Sequence, residues 1–154
     1  MRLMPFFFVR LGVKNMLLVG MAAWMARYLL FAFGDNHGLV WMLFLGILLH
    51  GVCYDFFFVT GQIYVDKKST PAIRGQAQGF FVLVTYGVGM LIGAQIAGNV
   101  YNRFLAGAPA LTLPQWNRFW WLPAAFAAAV TLFFTLAFYD RVDERKDQEA
   151  KRAA

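Results

Sequence analysis

Long apolar stretches separated by short polar segments dominate the chain. A helix that crosses a bilayer needs about 20 mainly apolar residues, and four stretches reach that length: residues 16–34, 39–61, 76–100 and 119–139. A shorter apolar run covers residues 3–9, which as a helix would reach only roughly 10 Å. The pattern predicts an all-α, polytopic bundle of four full transmembrane spans preceded by a partial helix.

The short run at the start of the chain has arginines on both sides, Arg2 and Arg10. No small-residue cleavage site follows it, which argues against a secretory signal peptide. The simplest interpretation is the end of a helix whose start lies before Met1. A lone turn at the membrane interface is the alternative.

Composition agrees with a membrane protein. Apolar residues make up 60% of the 154 and charged residues 14%, with a mean hydropathy of +0.55; soluble domains carry about 25% charged residues. The single cysteine, Cys53, cannot form an internal disulfide, and no metal-ligand spacing exists. No nucleophile motif, phosphate loop or basic patch with exposed aromatics is present. We therefore expect no enzyme activity, no cofactor, no metal and no nucleic-acid partner.

Lysine and arginine favour one side of the predicted membrane. The segments 10–15, 62–75 and 140–154 belong to one side, whereas the other side receives Arg103 and Arg118 only. That first side carries ten of the basic residues: Arg10, Lys14, Lys67, Lys68, Arg74, Arg141, Arg145, Lys146, Lys151 and Arg152. Cytoplasmic loops are enriched in these residues. The distribution predicts a multi-pass protein of the inner (plasma) membrane with a cytoplasmic, charged C-terminal tail over residues 140–154.

Three ionisable residues fall inside predicted spans, where a charge costs several kcal/mol. Counted from the cytoplasmic end of the second span, Asp55 lies about 9 Å deep and His50 about 16 Å deep. Arg27 lies at a depth similar to that of His50, in the first span. His50 and Tyr54 share a face because they are four residues apart. These four positions are the candidate site.

Each candidate has a functional and a structural interpretation. Asp55 could take up and release a proton during transport, since protonation removes its charge, or it could pair with a basic residue of another helix. His50 could bond a solute or only a backbone carbonyl. Arg27 could bind an anion or pair with an acid, and structural pairing or snorkelling is favoured.

Small residues recur in the third span. Gly75 and Gly79 form one GxxxG pair, and Gly89 and Gly93 form another. Such residues let helix backbones approach closely. We expect them to pack against a neighbouring helix.

Several segments together resemble one family. They are residues 10–15 (RLGVKN), 24–28 (WMARY), 31–34 (FAFG), 51–57 (GVCYDFF), 64–67 (YVDK) and 71–79 (PAIRGQAQG). The chain is similar, over roughly residues 3–100, to the nucleoside–proton symporters of the major facilitator superfamily. The match corresponds to the C-terminal portion of such a carrier, from the end of helix eight through helix twelve.

The resemblance implies a carrier with two six-helix halves and a solute site at the midplane. It implies that Asp55 takes part in proton coupling and that Tyr54 packs beside the nucleoside base. His50 stands where the family tends to have tyrosine. The implied partners are the lipid bilayer, the missing N-terminal half, a nucleoside-like solute and a proton. The alternatives are a small membrane interaction protein without transport and a carrier for another solute, such as a sugar.

Overall fold

The computed structural model describes residues 3–35 and 38–138. These form four long helices: α1 (Leu3–Phe33), α2 (Val40–Lys68), α3 (Arg74–Leu105) and α4 (Leu113–Ala137). All four are long and apolar enough to cross a membrane, α1 from Arg10 onward. This confirms the predicted all-α membrane bundle. The predicted C-terminal tail and Tyr139 lie outside the described residues.

Residues 10–15, which lie between the predicted partial helix and the first predicted span, contain a kink at one residue. Gly12 has φ 70° and ψ 165°, and the chain is helical on both sides of it. Only glycine adopts such a positive φ without steric cost. The apolar span of α1 includes residues 10–15, which were predicted to lie before the first span, and it ends at Phe33.

Two of the helices contain a wider π-helical segment. In α2 it covers Asp55–Val59, between the α-helical parts Val40–Tyr54 and Thr60–Lys68. In α3 it covers Leu83–Gly89, between Arg74–Val82 and Met90–Leu105. A π segment inserts extra backbone into the turn and rotates the side chains that follow it, and such segments often lie at functional sites.

Side-chain hydrogen bonds order the polar connections before α2 and α4. The Asp35 carboxylate accepts hydrogen bonds from the backbone nitrogens of Gly38 (2.7 Å) and Leu39 (2.9 Å), which closes the turn into α2. At the start of α4, the Gln115 side chain accepts from the backbone nitrogen of Thr112 over 2.8 Å as part of a capping box. These bonds satisfy backbone donors just before a helix, which have no partner inside it, and only the one at α4 is part of a capping box.

Helix α1 lies between α2 and α4. Its buried residues Val13, Met16 and Leu17 are packed by side chains of both helices, among them Phe57 and Phe134. Hydrogen bonds join α1 to α4 near both ends. Trp116 Nε1 donates to the carbonyl oxygen of Phe31 over 2.9 Å. Lys14 Nζ donates to the carbonyl oxygen of Thr135 over 3.0 Å.

Helix α3 is held mainly near its ends. At its start, Arg74 forms an ion pair with Asp66 of α2 (3.2 Å), and Gln78 donates to the same carboxylate over 3.1 Å. At its other end, Gln115 donates to the carbonyl oxygen of Phe104 over 2.7 Å.

The glycines of α3 do not pack as expected. A Cβ built on the following glycines would meet no described atom within 4 Å: Gly75, Gly79, Gly93 and Gly98. The close packing that was expected of them is not made within the described part of the chain.

Candidate functional site

The candidate residues of α2 flank the middle of that helix. From the rise per residue, His50 lies about 15 Å from Val40, and Asp55 lies about 20 Å from Lys68. Asp55 is farther from the helix end than the 9 Å expected from the sequence, because α2 continues past Gly61 to Lys68. Both residues are exposed in the chain, although they stand in an apolar helix.

Arg27 and His50 are joined directly across α1 and α2. Arg27 Nη1 lies 3.0 Å from His50 Nδ1. A guanidinium has donors only, so it donates and Nδ1 accepts. The guanidinium also lies 5.2 Å from the ring centroid of Phe31, within the range of a cation–π contact. Among the described residues, Arg27 pairs with the imidazole and not with an acid.

Tyr54 belongs to an aromatic cluster at the π segment of α2. Its ring centroid lies 5.4 Å from that of Phe58 and 6.4 Å from that of Tyr86 in α3. Phe58 in turn lies 4.9 Å from Tyr86 and 5.5 Å from Trp24 of α1. Tyr54 stays 41% exposed. The cluster thus offers one accessible phenol ring supported by rings from three helices.

Tyr86, a member of this cluster, is not among the residues predicted from the sequence. It is the one aromatic residue of the π segment of α3, and its neighbours in sequence are Thr85 and Gly87. A single tyrosine beside glycines inside a predicted span is the sequence feature that could have identified it. Its contact with Tyr54 depends on how α2 and α3 face each other, which the sequence does not give.

Asp55 is separate from the other candidates. Its backbone nitrogen bonds to carbonyl oxygens of Gly51 and Val52. Its carboxylate, however, forms no hydrogen bond or ion pair with any of the residues that the structure describes. The position of Gly51, one turn earlier on the same face, is also open. The carboxylate is therefore exposed and unbonded within the described part of the chain.

A cavity of about 190 Å³ lies elsewhere, between α1, α2 and α4. Its lining is mostly apolar and includes Trp24 of the aromatic cluster, together with Tyr28, Phe57 and Thr131. None of His50, Tyr54 and Asp55 lines it. This cavity is therefore distinct from the candidate site.

A model of the family described as nucleoside H⁺ symporter matches residues 1–143. The chain belongs to this family. The nucleoside permease NupG of Escherichia coli K12 is 33% identical over 136 residues, which are 87% of the chain and 31% of that protein. The putative nucleoside transporter YegT of the same strain is 38% identical, over 92% of the chain and 34% of that protein.

A third relative, the xanthosine permease of Escherichia coli K12, is 31% identical over 92% of the chain and 33% of its own length. Crystal structures of the nucleoside transporter NupG match with TM-scores of 0.79 and 0.74 at 31% identity. Each match covers 88% of the chain and 33% of the transporter. The chain thus spans about a third of the length of these relatives.

Membership in the nucleoside H⁺ symporter family confirms the resemblance seen in the sequence. The family and these relatives are transporters, and the four long apolar helices of the chain agree with a multi-pass membrane protein. The fold also agrees, because the described helices superpose on one third of a nucleoside transporter. The roles of Asp55, Tyr54, His50 and Arg27 remain predictions.

Proposed function

We propose that this chain is the C-terminal portion of a proton-coupled nucleoside carrier. The observation that carries the proposal is its membership in the nucleoside H⁺ symporter family. A carboxylate without a described partner at the middle of α2 supports it, because acids within membrane spans mark ion and proton pathways. The N-terminal half of the carrier supplies the opposite wall of the solute site.

In this carrier, Tyr54 and His50 form the part of the site that meets the solute. Both lie on one face of α2 and both are exposed in this chain. The Tyr54 ring gives a flat apolar surface for a nucleobase. The imidazole of His50 gives a directed hydrogen bond. Solute sites commonly combine aromatic walls with a few such polar groups.

Asp55 couples the solute to the proton. A proton that binds Asp55 from one side of the membrane neutralises the carboxylate, so that the loaded carrier can reorient. Its release on the other side resets the cycle. Coupling requires that proton and solute each bind the two states of the carrier with different affinity.

The carrier has its C-terminus in the cytoplasm of a cell with an inner (plasma) membrane. The excess of lysine and arginine in the segments 10–15 and 62–75 supports this orientation. In the structure these two segments hold the kink of α1 and the turn between α2 and α3. The turn between α1 and α2 and the turn between α3 and α4 then face the outside.

Uptake of labelled uridine and xanthosine at acidic outside pH tests the proposal. The expressed gene includes the coding DNA upstream of Met1, because the proposal requires an N-terminal half. The host cells lack nucleoside uptake of their own, and vector-only cells are the control. We expect accumulation of at least one solute and its collapse with a protonophore. If neither uridine nor xanthosine accumulates although the carrier is normally expressed at the cell surface, the nucleoside assignment is wrong.

A further inference from the structure

The contact between Arg27 and His50 determines the chemistry that the imidazole can offer. Because Nδ1 accepts from the guanidinium over 3.0 Å, it carries no hydrogen in this arrangement. In a neutral imidazole the hydrogen then lies on Nε2. Nε2 has no bonding partner among the residues that the structure describes, and His50 is exposed. The ring therefore presents a donor, not an acceptor, to whatever meets it.

The guanidinium that imposes this arrangement is itself held in place. It lies against the ring of Phe31, which is only 8% exposed. Phe31 packs against Trp120 of α4 at 4.8 Å between centroids. On the α2 side it fills the space at Gly46, where a Cβ would come within 2.6 Å of the ring. Three helices thus fix the ring on which Arg27 rests, so its Nη1 stays directed at His50.

We propose that Arg27 is a positioning residue that holds His50 in the form with hydrogen on Nε2, so that Nε2 donates a hydrogen bond to an acceptor atom of the transported solute. The inference rests on the proposed function, since it takes His50 as part of the solute site. In a nucleoside the acceptor is a base carbonyl, a ring nitrogen or a ribose oxygen. Groups that orient a functional histidine through its second nitrogen are a general device.

Two substitutions of His50 separate this role from simple helix pairing. Asparagine places an oxygen near the position of Nδ1 and keeps an acceptor for Arg27, but it loses the distal donor. Glutamine reaches the position of Nε2 and keeps a donor for the solute, but it loses the Nδ1 acceptor. We expect His50→Asn to raise KM about tenfold, the effect of one lost hydrogen bond. We expect His50→Gln to retain most of the affinity.

Arg27 variants complete the test. Arg27→Met removes the donor and raises KM in the wild-type background, whereas Arg27→Lys restores part of the affinity because an ammonium also donates. In the His50→Gln background, Arg27→Met has little further effect, since no Nδ1 remains to be held. Arg118→Met, an exposed arginine at the start of α4, controls for loss of a charge. If His50→Asn transports normally and His50→Gln does not, the pair is structural and the proposal is wrong.

Nitrogen-15 NMR of histidine-labelled protein in lipid bilayers tests the same inference without a solute. His50→Asn removes one set of imidazole signals and thereby assigns that set to His50, whatever other histidines the expressed protein contains. We expect a bare Nδ1 and a protonated Nε2 on His50, and a mixture of both forms in Arg27→Met. A hydrogen on Nδ1 in the wild-type protein overturns the proposal. If the NMR result holds but no nucleoside is transported, the positioning of His50 stands while its nucleoside ligand does not.

Discussion

Gly20 of α1 and Phe57 of α2 touch through their backbones. A Cβ on Gly20 would lie 2.9 Å from the backbone nitrogen of Phe57 and 3.0 Å from the carbonyl carbon of Phe56. Contacting carbon atoms prefer about 3.5–4.0 Å, and backbone atoms cannot move aside as a flexible side chain can. The π segment of α2 therefore approaches α1 at a position where only glycine leaves room.

Gly20→Ala should destabilise the bundle, whereas Gly93→Ala should not. Both changes favour the helix by about 1 kcal/mol, but the methyl group at residue 93 meets no described atom within 4 Å. We expect Gly20→Ala to lower the free energy of unfolding by about 1–3 kcal/mol, because the methyl group pushes α1 and α2 apart.

Cys53 provides the measurement for this prediction. It is the chain's only cysteine and is fully buried, so a thiol-reactive fluorophore labels it on unfolding. On heating, we expect the temperature of half-maximal labelling to fall for Gly20→Ala and to stay unchanged for Gly93→Ala. Equal midpoints for the two variants would contradict the close approach of α1 and α2.

Trp116→Phe should loosen the contact between α1 and α4. The change removes the indole donor that bonds the carbonyl oxygen of Phe31 and leaves that oxygen without this partner. Interhelical hydrogen bonds in membranes contribute about 0.6 kcal/mol on average and up to about 1.7. Trp121→Phe is the control, because Trp121 is 47% exposed. In the same thiol assay, we expect a lower midpoint temperature for Trp116→Phe only. A larger decrease of the midpoint for Trp121→Phe would contradict this prediction.

Asp55→Asn should abolish proton-driven accumulation while leaving solute exchange. Asparagine keeps the shape of the side chain but cannot take up and release a proton. Uptake against a gradient should fall to the level of vector-only cells, and exchange of internal for external solute should persist. Asp66→Asn is the control, since Asp66 lies near the end of α2 and bonds Arg74. Concentrative uptake by the Asp55 variant would remove Asp55 from the proton pathway.

The ring of Tyr54, and not its hydroxyl, should determine solute affinity. Tyr54→Phe keeps the ring and should leave KM within about twofold, whereas Tyr54→Ala should raise KM about tenfold. Base–aromatic stacking is worth about 1–3 kcal/mol by alanine substitution. Tyr101→Ala serves as the control, because Tyr101 lies near the end of α3, away from Tyr54, and its ring packs on Phe119 of α4. A large effect of Tyr54→Phe would instead assign a hydrogen bond to the hydroxyl.

The fold could be predicted in outline because a bilayer demands long apolar helices. The ends of those helices were harder to predict. Residues 62–68 are polar enough to suggest a loop, yet α2 continues through them to Lys68, where Asp66 bonds Arg74 and Gln78. The π segments left no trace in the hydropathy pattern, because one inserted residue shifts a helical face without changing its composition.

The candidate residues could be selected from the sequence, but their arrangement could not. Arg27 and His50 stood out because ionisable groups are rare in spans. Their mutual bond depends on the rotation of α1 against α2, which a single sequence does not specify. The glycines of α3 were expected to pack closely, yet Gly20, Gly46 and Gly61 make the tight approaches instead. Composition alone cannot tell which small residues face a neighbour.

The bonds between α1 and α4 connect distant parts of the chain. Trp116 and Phe31 are 85 residues apart in sequence, and Lys14 and Thr135 are 121 apart. At a synthesis rate of about 5–20 residues per second, α4 leaves the ribosome on the order of ten seconds after α1. His50, by contrast, follows Arg27 by only 23 residues. The arginine can therefore enter the bilayer already partnered, as part of an α1–α2 hairpin, and α4 closes the bundle last.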